Sequence, residues 1–205
     1  MRSLLVLNGK CDLEYLRGIV GGYDTIVGVD GGCKSLLAIG MEPNLAIGDF
    51  DSFDPNLLKT SRVLEFPQDK DEIDAQLALD FCQSVGVDEV DVACWEGERL
   101  DMIYALIGLM TRFPEGWVEL VSKDLRIGIV KRRRRLEAKI GEKWSILPIG
   151  DEVVLSLKGF KYTLDRKSMR KDFPYGVSNV AVSESVEIEV HKGEAVYFRW
   201  LREPS

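Results

Sequence analysis

Carboxylates repel one another, so acidic residues recurring at short spacing mark where a chain could do chemistry. Three such groups lie within 53 residues: Gly48-Asp49-Phe50-Asp51-Ser52, Lys70-Asp71-Glu72-Ile73-Asp74 and Arg99-Leu100-Asp101. Gathering them in one pocket is costly unless a cation sits among them, and hard oxygen donors suit magnesium bound to phosphates. The pattern is that of a metal-nucleotide site.

Each group also has a plainer reading. If the chain stays extended after a strand at 45–47, Asp49 and Asp51 point one way and Phe50 points back to the core, while Gly48 admits a ligand to the backbone. The alternative is a polar loop with Ser52 or Asp54 capping a short helix. Asp71 could simply cap a helix, and Asp101 could neutralise Arg99 or a helix amino terminus. What raises all three is position, since each follows an expected strand end, where ligands of open α/β sheets collect.

The elements that must position these residues alternate. Strand patterns at 3–7, 25–29, 45–47, 63–66, 89–93 and 118–121 are interleaved with helix patterns at 12–20, 32–39, 71–85 and 100–112, which predicts an α/β fold with a mostly parallel sheet flanked by helices. Ile73, Leu77 and Phe81 form the stripe of the longest helix, with Gly86 as its stop, and Asp71 and Asp74 share a face of its first turn. From about residue 136 the period becomes two, in short runs at 144–147, 153–157, 160–164, 186–190 and 195–201. That predicts a small all-β sandwich domain over 131–205, following an α/β nucleotide-binding domain over 1–130.

Composition bounds the function. The chain has 205 residues, 45% hydrophobic and 30% charged, with a formal net charge of -7. This is a globular composition, and the acidity argues against nucleic-acid and anionic-membrane partners, which need a basic face. The basic run 131–135 lacks interleaved aromatics and reads as a solvated turn between domains. The amino-terminal apolar run is too short for a signal peptide or membrane span, so a cytoplasmic protein is expected. Cys11, Cys33, Cys82 and Cys94 are widely spaced and read as reduced packing residues. His191, the only histidine, shares parity with Glu187 and Glu189 and is expected to face solvent.

Gly28 to Ser35 has the spacing of a phosphate-binding loop, but Cys33 replaces the last glycine and Asp30 would place negative charge among the phosphates. Asp30-Gly31-Gly32 reads instead as a tight strand-to-helix turn, either touching a nucleotide or simply packing. Together with Pro43 to Ser52, Lys70-Asp71-x-x-Asp74, Gly97-x-Arg99-Leu100-Asp101, Lys158 to Tyr162 and Gly176-Val-Ser-Asn179, it resembles the thiamin pyrophosphokinase family in order along nearly the whole chain. The GDFDS run paired with the downstream Lys-Asp-x-x-Asp is the specific part.

The resemblance implies transfer of pyrophosphate from magnesium-ATP to the hydroxyl of thiamine, giving thiamine diphosphate and AMP, in a homodimer. Carried over by position, Asp49, Asp51, Asp71, Asp74 and Asp101 serve catalysis, the first four as Mg2+ ligands. Asp30, Gly31, Gly48, Ser52, Lys70 and Arg99 become nucleotide contacts, and Ser178 and Asn179 thiamine contacts. The chain departs from the family pattern at Ile73, Met102, Ile103 and Leu106, where hydrogen-bonding residues are usual. These swaps keep open a different acceptor, such as a hydroxymethylpterin, or a non-catalytic binder of the same fold.

Overall fold

The computed structural model describes residues 1–202. The chain forms two compact units, residues 1–109 with 120–122, and residues 110–119 with 123 onward. Residues 110–119 and 123–130 cluster with the second unit.

In the first unit β1 (Arg2–Val6), α1 (Leu13–Ile19), β2 (Thr25–Val29), α2 (Gly32–Ala38), β3 (Leu45–Gly48), β4 (Arg62–Glu65), α3 (Asp74–Ser84), β5 (Glu89–Ala93) and α4 (Leu100–Met110) follow in order. The strands lie in the order β5-β1-β2-β3-β4 and all pairs are parallel. Beyond β5 comes β6 (Val118–Val121). A parallel strand covered on both faces needs unbroken apolar runs, and Leu4, Leu5, Val6, Ala46, Ile47, Val90 and Val92 supply them, all fully buried or nearly so. Gly32 begins α2 against β1: a Cβ there would lie 1.9 Å from the Val6 carbonyl oxygen, so only glycine permits that approach.

α3 begins three residues later than the pattern suggested. Ile73 is its last extended residue and no side chain caps it, so Asp71 is not the cap and lies outside the first turn. Its buried face is Ala75, Ala78, Leu79 and Cys82, while Ile73, Leu77 and Phe81 are half-buried. Small residues let the helix approach the sheet closely, which outweighs the size of the neighbouring stripe. Gly86, in the left-handed region at φ 75°, follows the helix end as expected.

The cysteine expectation is overturned for one pair. Cys11 and Cys94 form a disulfide with Cα atoms 4.5 Å apart, 83 residues separated in sequence. Parallel pairing of β1 with β5 brings the two together, a proximity that spacing along the chain does not reveal. Cys33 and Cys82 are buried thiols, each pushed up to about 12 by burial.

The second unit contains β7 (Leu125–Val130), β8 (Arg133–Glu137), β9 (Lys143–Pro148), β10 (Glu152–Lys158), β11 (Leu164–Arg170), β12 (Asn179–Val180), β13 (Ser185–Lys192) and β14 (Ala195–Trp200). Four antiparallel strands of the ten-stranded sheet, β12-β9-β14-β7, and a separate antiparallel sheet, β11-β10-β13-β8, enclose one core. Val130, Trp144, Ile146 and Tyr197 meet Leu155, Leu157, Met169 and Ile188 there. This is the expected sandwich, with one strand displaced: residues 160–164 are not a strand, Phe160 makes an isolated bridge to Ala181, and β11 starts only at Leu164.

Lys131 and Arg132 form the bend before β8, and the rest of the basic run is strand rather than turn. β8 is an edge strand whose arginines pair with β13: Arg133 lies 2.6 Å from Glu187, and Arg135 donates to Ser185. Charge along an edge strand blocks pairing with other chains, which gives this run a structural use. His191 keeps its predicted parity but is half-buried, its Nε2 2.8 Å from the Ser156 hydroxyl, because β10 lies beside it. Among the described residues, no helix is long and apolar enough to cross a membrane.

Candidate active site

The carboxyl ends of β2 and β3 assemble the acidic group. Asp30 follows β2 in the left-handed region at φ 45°, a conformation aspartate tolerates better than most residues, and its N–H donates to the Ile47 carbonyl 2.8 Å away. That bond continues the β2–β3 ladder and sets Asp30 beside the start of the next loop. Gly48 makes the closeness possible, since a Cβ there would lie 2.9 Å from the Asp30 Cβ. The missing side chain thus permits close contact with Asp30.

After Gly48 the chain does not remain extended. Phe50 has φ 55°, its half-buried ring packs against Cys33, Ala46 and Phe53, and the Asp51 N–H donates to Asp49 Oδ1 at 3.2 Å. A tight turn anchored by Phe50, not strand alternation, brings the two carboxylates together. Asp30, Asp49 and Asp51 each place one oxygen within 4.8 Å of the others.

Asp30 is only 8% exposed, and its Oδ1 is buried without a hydrogen-bond partner. A buried carboxylate oxygen with no donor is expensive, and two further carboxylates beside it add repulsion. A small hard cation would relieve both costs, so the donor set fits Mg2+.

Lys70 forms the second half of the site. Its Nζ lies 3.0 Å from Asp49 Oδ2 and 3.1 Å from Asp74 Oδ1, and its side chain is 11% exposed. Burial works against the ammonium, yet hydrogen bonds to the two carboxylates hold its pKa above the usual value. The same lysine bond lowers Asp49. Asp74 is raised, first by burial, with Asp49 and Asp30 adding to the effect against the pull of Lys70. Asp74 therefore stands within electrostatic reach of the acidic group, with Lys70 between it and Asp49.

Two expected catalytic carboxylates, one of them an expected metal ligand, lie outside this arrangement. Asp71 is exposed. Asp101, also exposed, is bound by Arg99, whose Nη2 lies 2.6 Å from Oδ2, and this hydrogen bond lowers its carboxyl to about 2. Sequence proximity thus dominates at Arg99-Leu-Asp101, and neither residue joins the other carboxylates. Ser52 donates to Asp30 Oδ2, so its hydroxyl serves a carboxylate. Of the four departures from the family pattern, Leu106 is a core residue, Met102 is exposed, and Ile73 and Ile103 are half-buried.

In the second unit Gly176 lies against β9, where a Cβ would sit 2.0 Å from the Ile146 carbonyl oxygen. The chain then turns through Ser178 at φ 59° into β12. Ser178 is exposed. Asn179 is 4% exposed, and its amide is spent on main chain: Oδ1 accepts from Tyr162 N at 3.0 Å and Val180 N at 2.9 Å, while Nδ2 donates to Tyr162 O at 2.8 Å. Most of the hydrogen-bonding capacity of this amide is therefore spent within the fold, whereas Ser178 is exposed.

Sequence reasoning missed Asn8. Its Nδ2 donates to Ser52 Oγ at 3.1 Å, and its amide covers Gly31, where a Cβ would come within 2.3 Å of it. The only signal was Asn8-Gly9 directly after a strand pattern, which reads as an ordinary turn.

Residues 17–121 match the family model described as thiamin pyrophosphokinase, catalytic domain, and residues 130–194 match that described as thiamin pyrophosphokinase, vitamin B1 binding domain. A curated relative, thiamine pyrophosphokinase of Bacillus subtilis, is 24% identical over 97% of this chain and 99% of its own length. The crystal structure of thiamine pyrophosphokinase from Bacillus subtilis superposes with a TM-score of 0.84 at 22% identity, covering 99% of this chain and 100% of that one. Thiamin pyrophosphokinase from Candida albicans gives 0.81 at 18% identity, covering 98% and 89%. With both family models matched in order along one chain that carries this acidic group, the protein belongs to the thiamin pyrophosphokinase family.

Proposed function

We propose that the protein is a Mg2+-dependent enzyme transferring the pyrophosphoryl group of ATP to the hydroxyl of thiamine, giving thiamine diphosphate and AMP. The observation that carries this is the Asp30–Asp49–Asp51 group with its unpartnered buried oxygen, in a chain of this family. These three residues would hold the metal, which when bound screens the charge of the phosphates and of the forming transition state. Lys70, already held between two carboxylates, offers its ammonium to phosphate oxygens as Asp49 turns to the metal. Asp74, its pKa raised, would orient the attacking hydroxyl and accept its proton. The hydroxyl oxygen forms its bond to the β-phosphorus, the bond from that phosphorus to the α,β-bridging oxygen breaks, and AMP departs. Asp71, Asp101 and Arg99, all solvent-facing, would meet the substrates only once these are bound.

Incubating the protein with Mg2+, ATP and thiamine, or 6-hydroxymethylpterin in its place, tests this reading when products are identified by mass. Thiamine diphosphate and AMP should appear in equal amounts. ADP with thiamine monophosphate, turnover of the pterin alone, or no AMP at all would overturn it. ATP as co-substrate supports a cytoplasmic location.

A homodimer is part of the same reading. Large apolar side chains are exposed on both units, Leu100 and Tyr104 on α4 and Phe173 and Val177 before β12. Sedimentation equilibrium should return twice the chain mass at micromolar concentration, and a monomer with full activity would remove the dimer from the proposal.

A further inference from the structure

We propose that Asn8 is a positioning residue for the metal-binding carboxylates, acting through Ser52 on Asp30. The inference rests on the metal-nucleotide reading above and adds to it a residue that no motif of the acidic loops contains.

One proton sets the direction of these hydrogen bonds. A serine hydroxyl has a single hydrogen to donate and lone pairs to accept with. Ser52 Oγ lies in hydrogen-bond contact with Asp30 Oδ2, and an ionised carboxylate can only accept, so the serine proton belongs to that bond. Whatever else touches Ser52 Oγ must then donate. Asn8 does so through Nδ2 at 3.1 Å, and this same logic fixes which end of its amide faces the serine. The chain of donors runs one way, from Asn8 to Ser52 to Asp30.

The consequence is directional. With Oδ2 held by Ser52, the other oxygen of Asp30 is the buried one without a partner, in the residue that forms a group with Asp49 and Asp51. Asp30 is fixed on its backbone side by the Ile47 bond and by contact with Gly48. Ser52 fixes its carboxylate plane, and Asn8 keeps Ser52 from turning its proton elsewhere. Asn8 is placed to do this because β1 lies beside β2 and because Gly31 has no Cβ to push the amide away. Residues that orient a metal's ligands typically matter about tenfold or more to affinity.

A filler of the space above Gly31 would explain the packing but not the hydrogen bonds, and the two roles separate by substitution. Asn8→Leu keeps the volume and removes the donor; Asn8→Ala removes both. The readouts are Mn2+ affinity by electron paramagnetic resonance in the presence of α,β-methylene-ATP, which cannot be cleaved at the reacting bond, the Mg2+ concentration for half-maximal turnover, and the KM for thiamine.

Asn8→Leu and Asn8→Ala should each weaken Mn2+ binding and raise the Mg2+ requirement about tenfold, with thiamine KM unchanged within about twofold. Ser52→Ala should do the same, and Asn8→Leu combined with Ser52→Ala should be no worse than Ser52→Ala alone, because the serine carries the whole effect. Wild-type Mn2+ affinity in Asn8→Leu, or losses that multiply in the double variant, would overturn the relay. Failure of the wider reading looks different: the unmodified protein would then neither bind Mn2+ with the nucleotide analogue nor release AMP.

Discussion

Replacing Asp51 with asparagine is expected to lower turnover about a hundredfold or more, since weakening one ligand of a catalytic metal removes several kcal/mol of transition-state stabilisation. The melting temperature of the metal-free protein should stay the same or rise. Asp51 is exposed and stands with Asp30 and Asp49 within 4.8 Å, so loss of its charge relieves repulsion and breaks little else. Asp49→Asn should cost as much activity with a smaller gain in stability, because it also removes a partner of Lys70. Steady-state assays and thermal melts on the same preparations decide the matter. Near-normal turnover with a large drop in melting temperature would show the group to be structural. Asp71→Asn belongs in the series: a loss as large as that of Asp51→Asn would mean that the loop before α3 closes on bound substrate, bringing in a carboxylate that is exposed in the free chain.

The second large effect is on stability, in the other unit. Asn179→Ala should destabilise the protein by about 2–4 kcal/mol, because it deletes a buried amide and strands the Tyr162 N–H and C=O that it serves. For a chain of this size that corresponds to a fall in melting temperature of about 5–12 °C. Ser178→Ala should leave the melting temperature unchanged, since the residue is exposed, and should raise the KM for thiamine if that segment meets the acceptor. Equal melting temperatures for Asn179→Ala and the unmodified protein would return Asn179 to the list of substrate contacts.

The sandwich and the parallel sheet were legible because they rest on period. Residues 89–93 and 118–121 read as strands from their apolar runs, and β5 and β6 have those bounds. Pattern failed where tertiary contacts compete with local preference. The arginines of β8 read as a solvated turn, yet strand pairing with Glu187 and Glu189 of β13 makes them an edge. α3 buries Ala75, Ala78, Leu79 and Cys82 rather than the stripe of Ile73, Leu77 and Phe81, because its alanines permit close approach.

The site divides along the same line. Composition and spacing by themselves pointed to Asp49 and Asp51 as one group, to carboxylates rather than histidine, and to strand ends. These follow from residue types and from the period of the elements, which are local properties. Which other carboxylates join them was decided only in three dimensions. Asp30 enters because β2 and β3 are hydrogen-bonded neighbours and Gly48 lets them touch, whereas Asp101 is held by Arg99, two residues away, and Asp71 faces solvent. The disulfide of Cys11 with Cys94, the reach of Asn8 to Ser52 and the burial of Asn179 under Tyr162 are likewise long-range facts. Such pairings depend on which strands become neighbours, and that is set by the packing of the whole unit rather than by any segment of it.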